Sequence, residues 1–239
     1  MRKMLMKQIN RMKKIILASA AALLLASPVN AQSYGTRTYN ASTGQFEYSY
    51  NYGGKQSYAG SFYYGLRMGL SFSTVNSDDK TLDGGSSRTG LSLGAVAGAF
   101  LSNDMNLIFE TGLLYKEKGG RSEYEGKKMT YSLDYFQVPL IVKYSYVVDK
   151  NFSIQPFAGG YLAYGIGGKI KNYGDRIATN SFSKQYFKHF DGGLQLGCGI
   201  GYNLFYADLS YEIGLTNICR DEFDTSHNRC FSINVGVNF

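Results

Sequence analysis

From Tyr64 the chain alternates. Tyr64, Leu66, Met68, Leu70 and Phe72 take one set of positions, and Gly65, Arg67, Gly69, Ser71 and Ser73 the other. A period of two is the mark of a strand whose faces meet different surroundings. The pattern recurs along the chain. It is blurred by Gly and Ala in TGLSLGAVAGAFL (89–101), and returns in NLIFETGLLYKEKG (106–119), MTYSLDYFQVPLIVKYSYVV (129–148) and FSIQPFAGGYLAYGIGGKIK (152–171). It continues in KHFDGGLQLGCGIGY (188–202) and FYADLSYEIGLTNI (205–218), and is cleanest in RCFSINVGVNF (229–239). There Phe231, Ile233, Val235, Val237 and Phe239 oppose Ser232, Asn234, Gly236 and Asn238. Eight strands are predicted, with abundant glycine (29), scarce proline (3) and no helix start or stop signals between them.

The links alternate as regularly as the faces. Those after strands two, four and six are short (SNDM, DKN, NL), while those after one, three, five and seven are long and polar. An up-and-down antiparallel sheet puts all the short links at one end, as transmembrane β-barrels do. The polar face carries charges that a soluble barrel would not place in an aliphatic core: Arg67, Glu110, Lys143, Asp208 and Glu212. A closed eight-stranded sheet has an interior just wide enough for side chains. With the polar face inward, these residues form a nearly balanced lumen charge network that must pair or be hydrated. The reverse orientation, a lipocalin-like binder with its aliphatic rows inward, is opposed by aromatics gathered near the short links: Tyr63, Tyr64, Phe100, Tyr144, Tyr146, Phe152, Tyr202, Phe205, Tyr206 and Phe239. Such clustering is expected of an interfacial girdle.

The start of the chain supplies an export route. Arg2, Lys3, Lys7, Arg11, Lys13 and Lys14 precede the apolar run IILASAAALLL (15–25), and SPVNA ends at Ala31. This reads as a secretory signal peptide, residues 1–31, with cleavage after Ala31 and a mature start at Gln32. Met12 is an alternative initiator. Of 25 Lys and Arg, these six precede Gln32, leaving 19 against 18 Asp and Glu. The basic balance therefore belongs to the export signal, and no nucleic-acid partner is expected. Residues 32–60 are rich in Tyr, Gly and Ser and poor in aliphatics, which predicts a flexible linker, or otherwise a periplasmic binding arm. The barrel is assigned to residues 61–239.

Five segments carry a family resemblance: YFQVPLIVKY (135–144), PFAGGYLAYGI (156–166), FDGGLQLGCGIGY (190–202), YEIGLTNI (211–218) and the aromatic end. In order and spacing they resemble the small outer-membrane β-barrels common in Bacteroidetes, described as porin-like or PorT-like, which share the eight-stranded architecture of the OmpX and OmpA barrels. The match runs from about Ser61 to Phe239 and is poorest in strand two. The resemblance implies an all-β, eight-stranded antiparallel up-and-down transmembrane barrel in the outer membrane, in contact with its lipid. It also implies that Phe239 is read by the barrel-assembly machinery. Through the PorT-like members it implies a role in protein secretion as one option.

Candidate chemistry is sparse. His189 and His227 are the only histidines, no strand presents Ser and His on one face, and no G-x-S-x-G elbow occurs, so no catalytic residues and no cofactor are expected. Asp221, Glu222, Asp224 and His227 form an acidic loop that reads as solvated, with no metal expected. A narrow porin is the main alternative. Gly65, Gly69, Gly112, Gly193, Gly197, Gly199 and Gly201 leave inward positions bare, although glycine also permits the tight curvature of a small barrel. The stretch KEKGGRSEYEGKKM (116–129) is read as a charged hairpin beyond the membrane. Tyr173, Phe182, Tyr186 and Phe187 are read as exposed loop aromatics for a surface or secretion partner. A disulfide between Cys219 and Cys230 requires a bulge after Leu215 to bring both thiols to one face, and is left open, with Cys198 facing lipid.

Overall fold

The computed structural model describes residues 36–40, 45–52, 55–57, 62–78, 82, 86–101, 106–124, 126–149, 151–173, 176–183, 186–220 and 224–239. The predicted signal segment lies outside them. Eight long strands form the wall: β1 (Phe62–Ser77), β2 (Ser86–Phe100), β3 (Leu107–Tyr124), β4 (Lys127–Tyr144), β5 (Phe152–Gly167), β6 (Phe190–Tyr202), β7 (Phe205–Gly214) and β8 (Ser226–Asn238). Each pairs antiparallel with its neighbours in sequence, and β1 pairs with β8, closing the sheet. Starting at Phe72, a walk across directly paired residues passes Phe231, Tyr211, Leu196, Ala158, Val142, Phe109 and Ala99 and returns to β1 at Phe62, ten residues away. That stagger is what a closed barrel with tilted strands requires.

The faces follow the sequence pattern. On β1, Tyr63, Arg67, Ser71, Ser73 and Val75 are buried inside, while Tyr64 and Leu70 are exposed outside. On β7 and β8, Leu209 (52% exposed), Ile233 (43%) and Val235 (49%) lie on the perimeter, and Glu212 (0%) lies inside. Val237 keeps the outer register but is covered. Six of the aromatics near the short links, Tyr64, Tyr144, Tyr146, Tyr202, Phe205 and Phe239, form the exposed lower ring. Three others do not belong to it. Tyr63, Phe100 and Tyr206 have inward parity and are buried. A second ring, not anticipated from the sequence, comprises Phe72, Tyr115, Phe136, Tyr164, Phe190, Tyr211 and Phe231 at the other end of the outer face. Tyr64 and Phe72 stand eight residues apart on β1, about 20 Å of height for tilted strands, close to the apolar band of an outer-membrane barrel.

At the short-link end, β6 and β7 are joined by two residues, with Asn203 in the left-handed region (φ 52°), a conformation Asn tolerates. At the far end the structure departs from the expected long loops. β3 and β4 run on to the pair Tyr124 and Lys127 and are joined by a two-residue turn containing Gly126 (φ 72°). The charged stretch 116–129 is therefore a hairpin, as expected, continuous with the wall strands. Beyond Gly168 (φ 155°), the strand Lys169–Tyr173 continues along β4 and turns into Arg176–Asn180.

Within the stretch read as a flexible linker, Thr36–Asn40, Gln45–Tyr52 and Lys55–Ser57 form a three-stranded antiparallel meander. QFEYSYNY carries a period of two, in which Phe46, Tyr48, Tyr50 and Tyr52 alternate with polar residues. Aromatic residues favour strands even where aliphatics are few.

Candidate functional site

Inward parity on eight strands brings the lumen residues into layers. The lower charged layer is centred on Glu110. Its Oε2 accepts from Arg67 Nη2 at 3.1 Å and from the Tyr63 hydroxyl, and its Oε1 lies 2.9 Å from Lys143 Nζ. Lys143 also donates to the Tyr206 hydroxyl at 2.8 Å, and both Lys143 and Arg67 lie 4.1 Å from the Tyr206 ring centre. Asp208 faces the same layer with no ion pair among the described residues, and accepts from Asn234 Nδ2 at 2.9 Å.

Glu212, expected in the same network, belongs to a second one. Tyr206 and Glu212 are six residues apart on β7, about 15 Å of wall height. Glu212 Oε1 accepts from Lys116 Nζ at 2.6 Å and Gln137 Nε2 at 2.7 Å, and Lys118 Nζ sits 2.9 Å from Oε2. Lys118 also reaches Asp191 Oδ2 at 3.3 Å and lies 4.1 Å from the Tyr161 ring centre. Asp191 is further held by Asn228 Nδ2 (2.9 Å), the Tyr161 hydroxyl (3.3 Å) and Thr216 Oγ1 (3.2 Å). Lys116, Lys118 and Asp191 are absent from the network expected from the sequence: KEKGG reads as the base of a charged hairpin, and Asp191 shares its polar face with Gln195 and four glycines. The signal was present: Lys116 and Lys118 continue the inward parity of Glu110 and Gly112. Each layer sets two cations against two carboxylates, the condition under which buried charge is tolerable.

Apolar clusters lie beyond the charged layers at both ends. Below, Tyr63, Phe100 and Ile108 pack together with Val147. Above, Leu82, Met129, Tyr131, Tyr135, Ile170, Phe182, Tyr186, Phe187, Ile218 and Cys219 are among the residues of a buried cluster across the mouth. This corrects the reading of the loop aromatics. Phe182 (8% exposed), Tyr186 (1%) and Phe187 (0%) turn inward. Phe187 stacks on Tyr131 at 5.7 Å, and Phe182 meets Tyr135 edge-on at 5.7 Å. The Tyr173 side chain lies outside the described residues.

Several inward glycines are seats for rings. A Cβ built on Gly98 would collide with the Tyr63 ring, one on Gly199 with Tyr206, one on Gly197 with Phe157 and one on Gly165 with Phe182. The bare positions therefore admit large side chains that lie flat against the wall.

The cysteine geometry also differs from the disulfide considered above. Strand β7 ends at Gly214, and the chain then turns over the mouth, with Leu215 N donating to Gly192 O at 2.9 Å and Ile218 buried in the cap. Cys219 belongs to that cap, opposite Phe187, whereas Cys230 sits in the wall beside Ser232, and they are not joined. Cys198 is exposed on the outer face. His189 stacks between Tyr164 and Phe182, and His227 Nδ1 lies 3.0 Å from Thr216 O. Asp221 and Glu222 of the acidic loop lie outside the described residues.

A family profile described as "Outer membrane protein beta-barrel domain" matches residues 30–220. The chain belongs to this family. As a member, it is an integral outer-membrane protein, and the end carrying the short links faces the periplasm. Among solved structures, this outer-membrane barrel is similar to Neisserial surface protein A, at 16% identity and a TM-score of 0.43 over 74% of this chain and 97% of the other. It is similar to OprG of Pseudomonas aeruginosa at 10% identity and 0.45, covering 77% and 98%. It is also similar to a major outer membrane protein of Thermus thermophilus at 12% identity and 0.44, covering 75% and 100%. No curated protein matches it in sequence.

Proposed function

We propose that this outer-membrane barrel is closed to solutes and acts in envelope structure, or in surface or secretion interactions through its extracellular segments. The observation carrying the reading is the filling of the lumen in four layers: an apolar floor, two ion-pair networks and an aromatic cap. An ion crossing the barrel would have to separate Glu110 from Arg67 and Lys143, and Glu212 from Lys116 and Lys118, each at a cost of several kcal/mol. Lining residues are thereby committed to one another, and their role is rigidity rather than transport. Phe239 is proposed to mark the chain for the barrel-assembly machinery. It is exposed on the outer face, and it exchanges backbone hydrogen bonds with Tyr64 (2.7 and 3.2 Å).

Two measurements test the proposal. Purified barrel in planar bilayers should give no reproducible conductance steps; regular steps of substantial size would assign a porin instead. A deletion strain should keep normal permeability to small solutes. Retained surface-protein cargo in its periplasm would favour the secretion role within this reading, and a permeability change alone would overturn it.

A further inference from the structure

Above the upper aromatic ring, the outer face of β3, β4 and the Lys169–Tyr173 strand carries a compact basic patch. The parity is set by inward neighbours. Met129, Tyr131 and Ile170 are almost fully buried, so Lys128, Thr130, Lys169 and Lys171 occupy the outer face, as does Arg121. Lys171 stands directly across from Thr130, and Thr130 across from Arg121. Lys169 lies two positions nearer the membrane, its backbone N–H donating to Ser132 Oγ at 2.8 Å. With strands about 4.8 Å apart and alternate residues about 6.7 Å apart, these cations share a patch on the order of 10 Å by 14 Å.

Three described acids lie on this face. Glu117 receives Arg88 at 3.7 Å and the Tyr115 hydroxyl at 3.0 Å, Asp134 shares a hydrogen bond with Tyr115, and Glu123 stands directly across from Lys128. Arg121, Lys169 and Lys171 have no ion-pair partner among the described residues. Such a cluster of one sign attracts an anion from outside.

Height selects the anion. Phe136 marks the upper ring on β4, and the rows through Ser132 and Thr130 lie four and six residues above it, about 10 and 15 Å for tilted strands. The polar layer of a phospholipid leaflet is only about 5–8 Å thick. A glycerophospholipid phosphate therefore sits near Tyr115 and Arg88 and falls short of Lys171. A saccharide headgroup carrying phosphates reaches it. We propose that Arg121, Lys169 and Lys171 bind the phosphorylated sugar headgroup of an outer-leaflet glycolipid, fixing the protruding β3–β4 sheet against the membrane surface.

The test uses the folded full-length barrel in phosphatidylcholine bilayers titrated with a phosphorylated lipid A bearing core sugars. Binding is read by native mass spectrometry of the extracted complex. Each cation near an anionic surface is worth roughly a fivefold change in affinity, so R121Q/K169Q/K171Q should bind on the order of 100-fold more weakly than wild type. The single K171Q, at roughly fivefold, serves if the triple variant fails to show folded heat-modifiable mobility. Dephosphorylated glycolipid should bind wild type as weakly as the triple variant binds the phosphorylated form, and phosphatidylglycerol should not distinguish the two proteins. Equal affinity of wild type and both variants, tight binding of the dephosphorylated form, or the same difference with phosphatidylglycerol would each overturn the assignment.

Discussion

Glu212→Gln removes one charge from the upper lumen layer while keeping the side-chain shape. In the native layer, Glu212 takes Lys116 at 2.6 Å and Lys118 at 2.9 Å, and Gln137 donates to it at 2.7 Å. The amide oxygen can still accept from Gln137, so packing changes little and the loss is electrostatic. Lys116 and Lys118 are then left with Asp191 as the one carboxylate of the layer. Breaking a buried ion pair by removing one partner costs about 3–5 kcal/mol. Reversible urea unfolding in lipid vesicles, followed by heat-modifiable mobility, should show that loss. Adding Lys116→Met removes the surplus cation and should restore most of it, so the cycle should give a coupling energy of at least about 2 kcal/mol. A Gln variant within about 0.5 kcal/mol of wild type, or strictly additive effects, would mean that the lumen charges are held by water and not by one another.

Gly98→Ala forces the Tyr63 ring off the wall and away from Glu110; a loss of about 1–3 kcal/mol is expected in the same assay, largely relieved by adding Tyr63→Leu, and a neutral Gly98→Ala would refute the ring-seat reading. Phe187→Ala empties a fully buried cap position stacked on Tyr131. It should cost about 3–5 kcal/mol locally and open Lys188 to trypsin on intact cells, where an uncleaved variant would contradict the cap. Deleting Phe239 should lower the folded outer-membrane population, and unchanged membrane levels with unchanged gel mobility would remove its proposed role in assembly.

The wall was legible in the sequence because period-two patterning depends only on which solvent each face meets. Leu209, Ile233 and Val235 against Arg67, Glu110 and Glu212 already determine inside from outside. What lay between strands was less legible. Phe182, Tyr186 and Phe187 are aromatic in a polar loop, and composition alone cannot distinguish a sticky surface from a cap, since only the path of the chain over the mouth buries them. Lys116 and Lys118 stand at the base of a charged hairpin, and polarity alone does not show that the first residues of that stretch still line the lumen. The stripe of QFEYSYNY is aromatic, and a composition poor in aliphatic residues masks it. The bare glycine positions are legible, but their purpose depends on partners in other strands: Phe157 for Gly197 and Tyr206 for Gly199.

The seam between β1 and β8 bears on how this protein is made. Leu66 pairs with Val237, 171 positions later, and Gly65 with Asn238. Contacts of such sequence separation raise the contact order and slow folding, because the chain must lose most of its freedom before they reward it. No amino-terminal portion of the wall can reach a closed state as it emerges from the translocon. The exported chain must therefore cross the periplasm with its lipid-facing strands unshielded, which creates a need for holding chaperones until the last strand is delivered.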